Sequence, residues 1–252
     1  MNRLAGSVIL ATCLVLSGCD IEGFDGGIRE KEDFHYSYDL KPGGRLELES
    51  FNGSIEIAGW DKNTVEISGT KQAATRDLLN EIKIDIVSSP DYIRVRTVRP
   101  LGRHGSMGVK YVLSVPRKVI LERIASSNGS IRVRDLEGSA RLKTSNGSVH
   151  ATNLKGDIEA GTSNGAVELA DFTGGATLHT SNGSIHATGV RGFFEATTSN
   201  GAIDAQVVEA SGRPIKADSS NGRINLTVES LKGSDVQAST SNSSITVRLP
   251  SS

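Results

Sequence analysis

Apolar and polar residues alternate with a period of two through most of the chain after residue 34, and that alternation is itself repeated. Ser-Asn-Gly recurs with its Asn at 128, 146, 164, 182, 200 and 221; Ser-Asn-Ser puts Asn242 in the same slot, and Phe-Asn-Gly puts Asn52 there far upstream. From Asn128 onward four intervals are 18 residues and two are 21. Counted from each Asn, apolar residues fall at +3, +5, +8, +12 and +14, with Thr usually at +16. The repeat at Asn146 reads Val149, Ala151, Leu154, Ile158, Ala160 and Thr162; that at Asn182 reads Ile185, Ala187, Val190, Phe194, Ala196 and Thr198. A period of two is the signature of a strand with one buried face. Each repeat is therefore read as two short strands and two turns. One turn lies at Asn-Gly, where Gly is expected to take a positive φ. The other lies at Leu136-Glu-Gly138, Leu154-Lys-Gly156 and Val190-Arg-Gly192.

Two architectures fit two strands per repeat: a β-solenoid with one coil per repeat, and a meander of hairpins with Asn-Gly turns. Two features favour the solenoid. The Asn continues the inward phase of +12, +14 and +16, so its amide is expected to point into the corner of the coil and to stack in a ladder along the axis. The ladder comprises Asn128, Asn146, Asn164, Asn182, Asn200, Asn221 and Asn242. The second feature is volume. Val133, Leu142, Leu169 and Leu178 are large where Ala151, Ala160, Ala187 and Ala196 are small; at +12 the order reverses, with Ala140 and Ala176 against Ile158 and Phe194. That reversal serves close packing only if equivalent positions are stacked neighbours. The fold class expected is all-β: a parallel β-solenoid of about 18-residue coils, with an N-terminal β-rich cap.

The cap spans residues 34–124 and includes a first coil at Asn52; the repeats span 125–252. Within the cap, strands are expected at Val65–Thr70, Ile82–Ser88, Tyr92–Val98, Val109–Val115 and Val119–Ile124, with a short helix at Ala73–Asn80 and a loop at Leu101–Gly108. Trp60, at +8 of the first coil, is expected in the core. A last strand at Ile245-Thr-Val-Arg-Leu is stopped by Pro250.

The first 18 residues differ from all that follows. Arg3 precedes the apolar run Val8–Leu16, which is too short to span a membrane and fits the core of a secretory signal. It ends in Leu16-Ser17-Gly18-Cys19, which resembles the bacterial lipobox, with Cys19 as the lipid-attachment residue. Acyl chains there would anchor the protein to a membrane. Asp20 resembles the signal that keeps enteric-type lipoproteins in the inner membrane, facing the periplasm; the outer membrane is the other location open to a lipoprotein. Residues 19–33 read as a flexible tether.

Composition narrows the chemistry. Without Arg3, 27 basic residues stand against 29 acidic ones, so nothing in the charge balance points to nucleic acid. Cys13 and Cys19 are the only cysteines, which leaves the processed domain no disulfide. The outward +4 column reads Arg132, His150, Glu168, His186, Asp204, Asn225 and Thr246. His150, Glu168 and His186 would stand in a row, as candidate metal ligands or a pH-sensitive stripe, although a flat ladder is poor tetrahedral geometry. The plainer reading is a solvated face of alternating charge. His104, with Arg99 and Arg103, forms a small basic patch in the loop. No Ser lies in a nucleophile motif and no Gly-rich loop carries a phosphate-binding Lys. No catalytic residue and no cofactor is expected.

The recurring Ser-Asn-Gly-[Ser/Ala]-[Ile/Val], the early Phe-Asn-Gly-Ser-Ile-Glu-Ile coil and the closing strand ending in Leu-Pro resemble a bacterial family known as putative adhesins, a domain of unknown function found in envelope proteins. The resemblance covers residues 36–250. It implies a right-handed parallel β-solenoid at the cell envelope, in a family sometimes linked to envelope stress responses. The expected function is a membrane-anchored envelope lipoprotein whose domain binds or scaffolds another envelope protein or a glycan without catalysis. A carbohydrate-active or glycan-binding β-helix module and an envelope-stress sensor are the alternatives.

Overall fold

A computed structural model of the chain describes residues 29–100, 102 and 105–251. The expected signal, the lipobox with Cys19, Asp20, most of the tether, and His104 lie outside the described residues.

The elements in chain order are β1 (Glu30–Asp39), β2 (Gly44–Glu49), β3 (Ile55–Trp60), β4 (Thr64–Ala73), α1 (Arg76–Glu81), β5 (Lys83–Ser89), β6 (Tyr92–Val98), β7 (Met107–Pro116), β8 (Val119–Ser126) and β9 (Ile131–Glu137). They continue with β10 (Ala140–Thr144), β11 (Val149–Lys155), β12 (Ile158–Thr162), β13 (Val167–Thr180), β14 (Ile185–Thr198), β15 (Ile203–Ala210), β16 (Ile215–Ser219), β17 (Ile224–Val228), β18 (Val236–Thr240) and β19 (Ile245–Arg248). Two walls run the length of the molecule. One stacks β6, β2, β8, β10, β12, the second halves of β13 and β14, β16 and β18, all parallel. The other stacks β7, β3, β9, β11, the first halves of β13 and β14, β15, β17 and β19, also parallel. Residues one repeat apart are lateral partners: Val149 pairs with Val167, and Ala151 with Leu169. The chain is a parallel β-solenoid, as the repeat predicts.

One step breaks the serial order. The β2–β3 coil is held between the β6–β7 layer on one side and the β8–β9 layer on the other. The chain thus leaves its first coil, builds the layer beyond it, and returns past it to start the repeats. Beyond β7 the pairing turns antiparallel: β4 lies on β7, β1 lies on β4, and on the other wall β5 lies on β6. Helix α1, capped by the Thr75 hydroxyl, buries Leu78 and Leu79. Charged Lys83 and Asp85 stand on the outermost strand β5. Antiparallel cover and edge charges protect this end against further strand addition. β1 begins at Glu30, so residues 30–33 are strand rather than tether: Glu30, Glu32, Phe34, Tyr36 and Tyr38 make a half-buried face whose charged start masks the alternation.

The core is a stack of thin layers. Val133, Ala151, Leu169, Ala187, Ala205 and Leu226 follow one another along one wall, and Leu142, Ala160, Leu178 and Ala196 along the other; all are buried. In the +12 column the sizes run opposite, through Ala140, Ile158, Ala176 and Phe194. A large side chain in one layer fills the space left by its small neighbours, and the alternation read from the sequence is the packing of the core.

The corners correct two expectations. The Asn side chains do form a ladder, but on the outside of the coil: Asn128, Asn146, Asn164, Asn182, Asn200, Asn221 and Asn242 are all exposed. The chain turns a convex corner at Ser-Asn, so two successive residues face out and the strand phase is lost. The inner corner belongs to the +16 hydroxyl. Thr162 Oγ1 donates to the Gly147 carbonyl one layer away at 2.8 Å and accepts from the Gly165 amide of its own turn at 3.3 Å. Thr144, Thr180 and Thr198 donate in the same way to Gly129, Gly165 and Gly183. Nor does the Gly of the repeated Ser-Asn-Gly take a positive φ. It is required by proximity: a Cβ on Gly165 would stand 2.0 Å from the Gly147 carbonyl oxygen. Positive φ belongs to the other turn, as at Gly156 (129°), and to a bend at +7, where Asp135, Asn153 and Asp171 have φ of 62°, 54° and 52° and Gly189 follows them. Asp and Asn tolerate that region better than other side chains.

Candidate functional site

The two walls offer different outer surfaces. On the β9–β11–β13–β14–β15 wall, the row Glu56, Arg132, His150, Glu168, His186, Asp204 and Asn225 is laid out by strand register. It resolves into neighbouring pairs. Arg132 approaches Glu56 at 3.5 Å, His150 Nδ1 lies 2.9 Å from Glu168 Oε2, and His186 Nδ1 lies 3.7 Å from Asp204. Arg223 and the Asn225 amide complete the surroundings of Asp204, at 3.6 and 2.6 Å. Among the described residues no three His, Cys, Asp or Glu side chains are gathered as a metal site. Each pair is open to water on a flat sheet, where a polar cross-strand pair contributes about a few tenths of a kcal/mol.

The other wall carries an open trough of about 410 Å³. Its lining comes from successive layers: β8, β10, β12, β13, β14 and the turn before β16. Gly175 makes room between its column neighbours Asp157 and Phe193 for the Asp157 carboxylate, whose Oδ1 would stand 2.8 Å from a Cβ there. Asp157 Oδ1 accepts from the Gly175 amide at 3.0 Å, which aims the carboxylate along the trough. On the adjacent column Arg141 Nε donates to Glu159 Oε2 at 2.9 Å. Phe193 is half-buried, and the Arg213 guanidinium stacks 3.8 Å above its ring centroid. The periodic sequence conceals this constellation, because it takes one residue from each of several repeats; a Phe and a Gly at a +11 slot held elsewhere by Ser139 and Asp157 are its only trace.

Trp60 is not a core residue. It is half-buried at the edge, its Nε1 donates to the Thr64 carbonyl at 2.8 Å, and Lys62 lies over its ring. Phe172, Phe194 and Tyr111 are the fully buried aromatics among the described residues; Tyr111 meets Phe34 edge-on and its hydroxyl shares a 2.7 Å hydrogen bond with Thr97. Burial pushes the Tyr111 phenol up to about 12, with the Thr97 bond opposing the rise.

A sequence profile of the family described as Toastrack DUF4097 matches residues 44–252, more than four-fifths of the chain. The chain belongs to the Toastrack family. The span matched to the Toastrack family begins at Gly44, the first residue of β2, the strand that opens the first coil. Among solved structures, a putative adhesin from Bacteroides fragilis is similar at 15% identity, with a TM-score of 0.54, over 86% of this chain and 97% of that one. Putative adhesins from Parabacteroides merdae and Parabacteroides distasonis are similar at 11% identity each. Their TM-scores are 0.40 and 0.41, over 89% and 86% of this chain and 98% and 97% of theirs. At 15% identity the likeness to the Bacteroides fragilis protein is one of fold. No curated protein matches the chain. Among the described residues of this Toastrack protein no helix is long and apolar enough to cross a membrane.

Proposed function

We propose that this Toastrack protein is a lipid-anchored, non-catalytic binding scaffold of the bacterial envelope. The observation that carries the reading is the state of the outer walls. The titratable side chains most suggestive of chemistry, His150, Glu168, His186 and Asp204, are spent on one another in exposed lateral pairs. A rigid, flat and repetitive surface of this kind serves recognition over an extended contact rather than attack on one bond. The structural likeness to proteins named as adhesins supports the same reading. The lipobox Leu16-Ser17-Gly18-Cys19 supports anchoring through Cys19, and Asp20 supports inner-membrane retention facing the periplasm.

Metabolic labelling with a fatty-acid analogue tests the anchor: label is incorporated by the wild type and lost in Cys19→Ala. Label that persists in Cys19→Ala removes the lipoprotein reading. In-cell crosslinking from the two walls tests the scaffold; a specific envelope partner is captured from at least one of them. A purified domain that cleaves a glycan, with cleavage abolished by one outward substitution, overturns the non-catalytic reading.

A further inference from the structure

We infer that the trough on the β8–β10–β12–β13–β14 wall is a binding site for a neutral, unbranched β-1,4-linked oligosaccharide lying along the solenoid axis. The inference rests on the non-catalytic binding reading and adds the place and the ligand class.

The first argument is shape. The lining residues come from six consecutive layers of one wall, so the trough extends for about five strand spacings, roughly 24 Å. Its volume of about 410 Å³ spread over that length makes it narrow and shallow. It fits a linear chain molecule and not a compact one. A straight β-1,4-linked sugar chain has a rise per unit close to the strand spacing, so successive sugars meet successive layers in similar registers.

The second argument is chemistry. Glu122, Asp157 and Glu159 line the trough together with Arg141 and Arg213. Carboxylates and guanidinium groups interspersed in this way offer little net attraction to a polyanion or a polycation. They suit a ligand whose hydroxyls accept from one group and donate to the next. Arg141 is pre-oriented by Glu159, and Asp157 by the Gly175 amide, which lowers the ordering cost of binding.

The third argument is the aromatic group. Phe193 is the one Phe, Tyr or Trp side chain on this stretch of outer wall among the described residues, and it stands beside Gly175, over which only the Asp157 carboxylate reaches. Arg213 holds it from the other side at 3.8 Å. The negative face of a phenyl ring attracts the C–H face of a sugar, and a ring already held by its neighbour loses little freedom on binding.

The test is calorimetric titration of the full acylated chain in detergent micelles with cellopentaose and chitopentaose. A pentaose is expected to bind where glucose and N-acetylglucosamine do not, with little dependence on salt because the ligand is neutral. Phe193→Ala is expected to weaken binding by about tenfold or more, as for an aromatic anchor. Arg141→Ala weakens it less, and His150→Ala, on the opposite wall, leaves it unchanged. All three substitutions are at surface positions, and circular dichroism checks that they fold. Failure of both pentaoses to bind overturns the inference, as does pentaose binding that survives Phe193→Ala combined with Asp157→Ala. Capture of an envelope partner unaffected by those two substitutions, alongside absent sugar binding, removes the glycan site while leaving the scaffold reading standing.

Discussion

The side-chain amide of Asn164 donates to the side-chain carbonyl of Asn146 at 2.7 Å, and both groups stand on the outside of the coil. The same bond links Asn128 to Asn52 and continues to Asn242, at 2.6 to 2.8 Å throughout. Each interior Asn donates to one neighbour and accepts from the other, a polarity that an amide sustains and a carboxylate does not. Water competes for these groups, so each bond contributes about 1 kcal/mol. Asn164→Ala is expected to lose two such bonds and about 1–2 kcal/mol in urea unfolding. Asn164→Asp loses as much, because its carboxylate faces the Asn146 carbonyl with nothing to donate. Asn242→Ala, at the end of the ladder, costs about half of that.

Close approach of successive turns makes a sharper prediction. A Cβ at Gly165 meets the Gly147 carbonyl oxygen at 2.0 Å and its carbon at 2.4 Å, both backbone atoms that cannot rotate away. Gly165→Ala is expected to cost about 3 kcal/mol or more. Gly161→Ala, whose Cβ would lie 3.7 Å from the nearest atom, is expected to be neutral or slightly stabilising. Thermal melts of the two variants separate inter-layer crowding from a general intolerance of side chains.

Core layers are coupled in pairs. Ala151 and Leu169 are lateral neighbours at the same inward position of adjacent strands. Ala151→Leu overfills one layer and is expected to cost about 1–3 kcal/mol. Leu169→Ala opens a cavity in the next, at about 2–5 kcal/mol. The double variant exchanges the two and is expected to be less destabilised than the sum, by about 1 kcal/mol or more in a double-mutant cycle. Strict additivity would mean that the layers pack independently.

Tyr111 provides an alkaline limit. Its phenol is raised from 10.0 to about 12 in the folded chain. The folded state therefore keeps the proton where the unfolded state releases it. This contribution to stability is fully present below pH 10 and is lost as pH rises toward 12, by roughly 2–3 kcal/mol in all. Tyr111→Phe keeps the ring and leaves the Thr97 hydroxyl with only Ser50 Oγ, at 3.5 Å. It is expected to cost about 1 kcal/mol at neutral pH and to flatten the decline between pH 10 and 12. Denaturant titrations at stepped pH read both effects.

The sites were unequally legible. The His150–Glu168–His186 row can be placed from spacing alone, because strand register transmits a repeat faithfully into a column. Its division into separate pairs cannot, since that depends on rotamers and on Arg223 arriving from a neighbouring turn. The trough is nearly invisible in the sequence: Asp157, Gly175, Phe193 and Arg213 are irregularities in four repeats, and irregularities acquire meaning only when stacked. Residues 30–33, whose composition suggests a tether, are strand because Glu30 and Glu32 begin an amphipathic strand that pairs with β4, where Lys71 Nζ lies 3.0 Å from Glu32.

Period, strand phase, coil length and the alternation of large and small core residues are properties of order along the chain. They follow from the alternating geometry of an extended backbone and the cost of exposing apolar surface, so the sequence alone determines them. Contacts between distant segments decided the rest: that the Asn amides face water while Thr162 and its equivalents fill the inner corner, that a Gly is held by a carbonyl one layer away rather than by its own φ, and that the first coil lies between two later layers. Those outcomes depend on the space left at a corner and at a stacking surface, and that space exists only once neighbouring coils are in place.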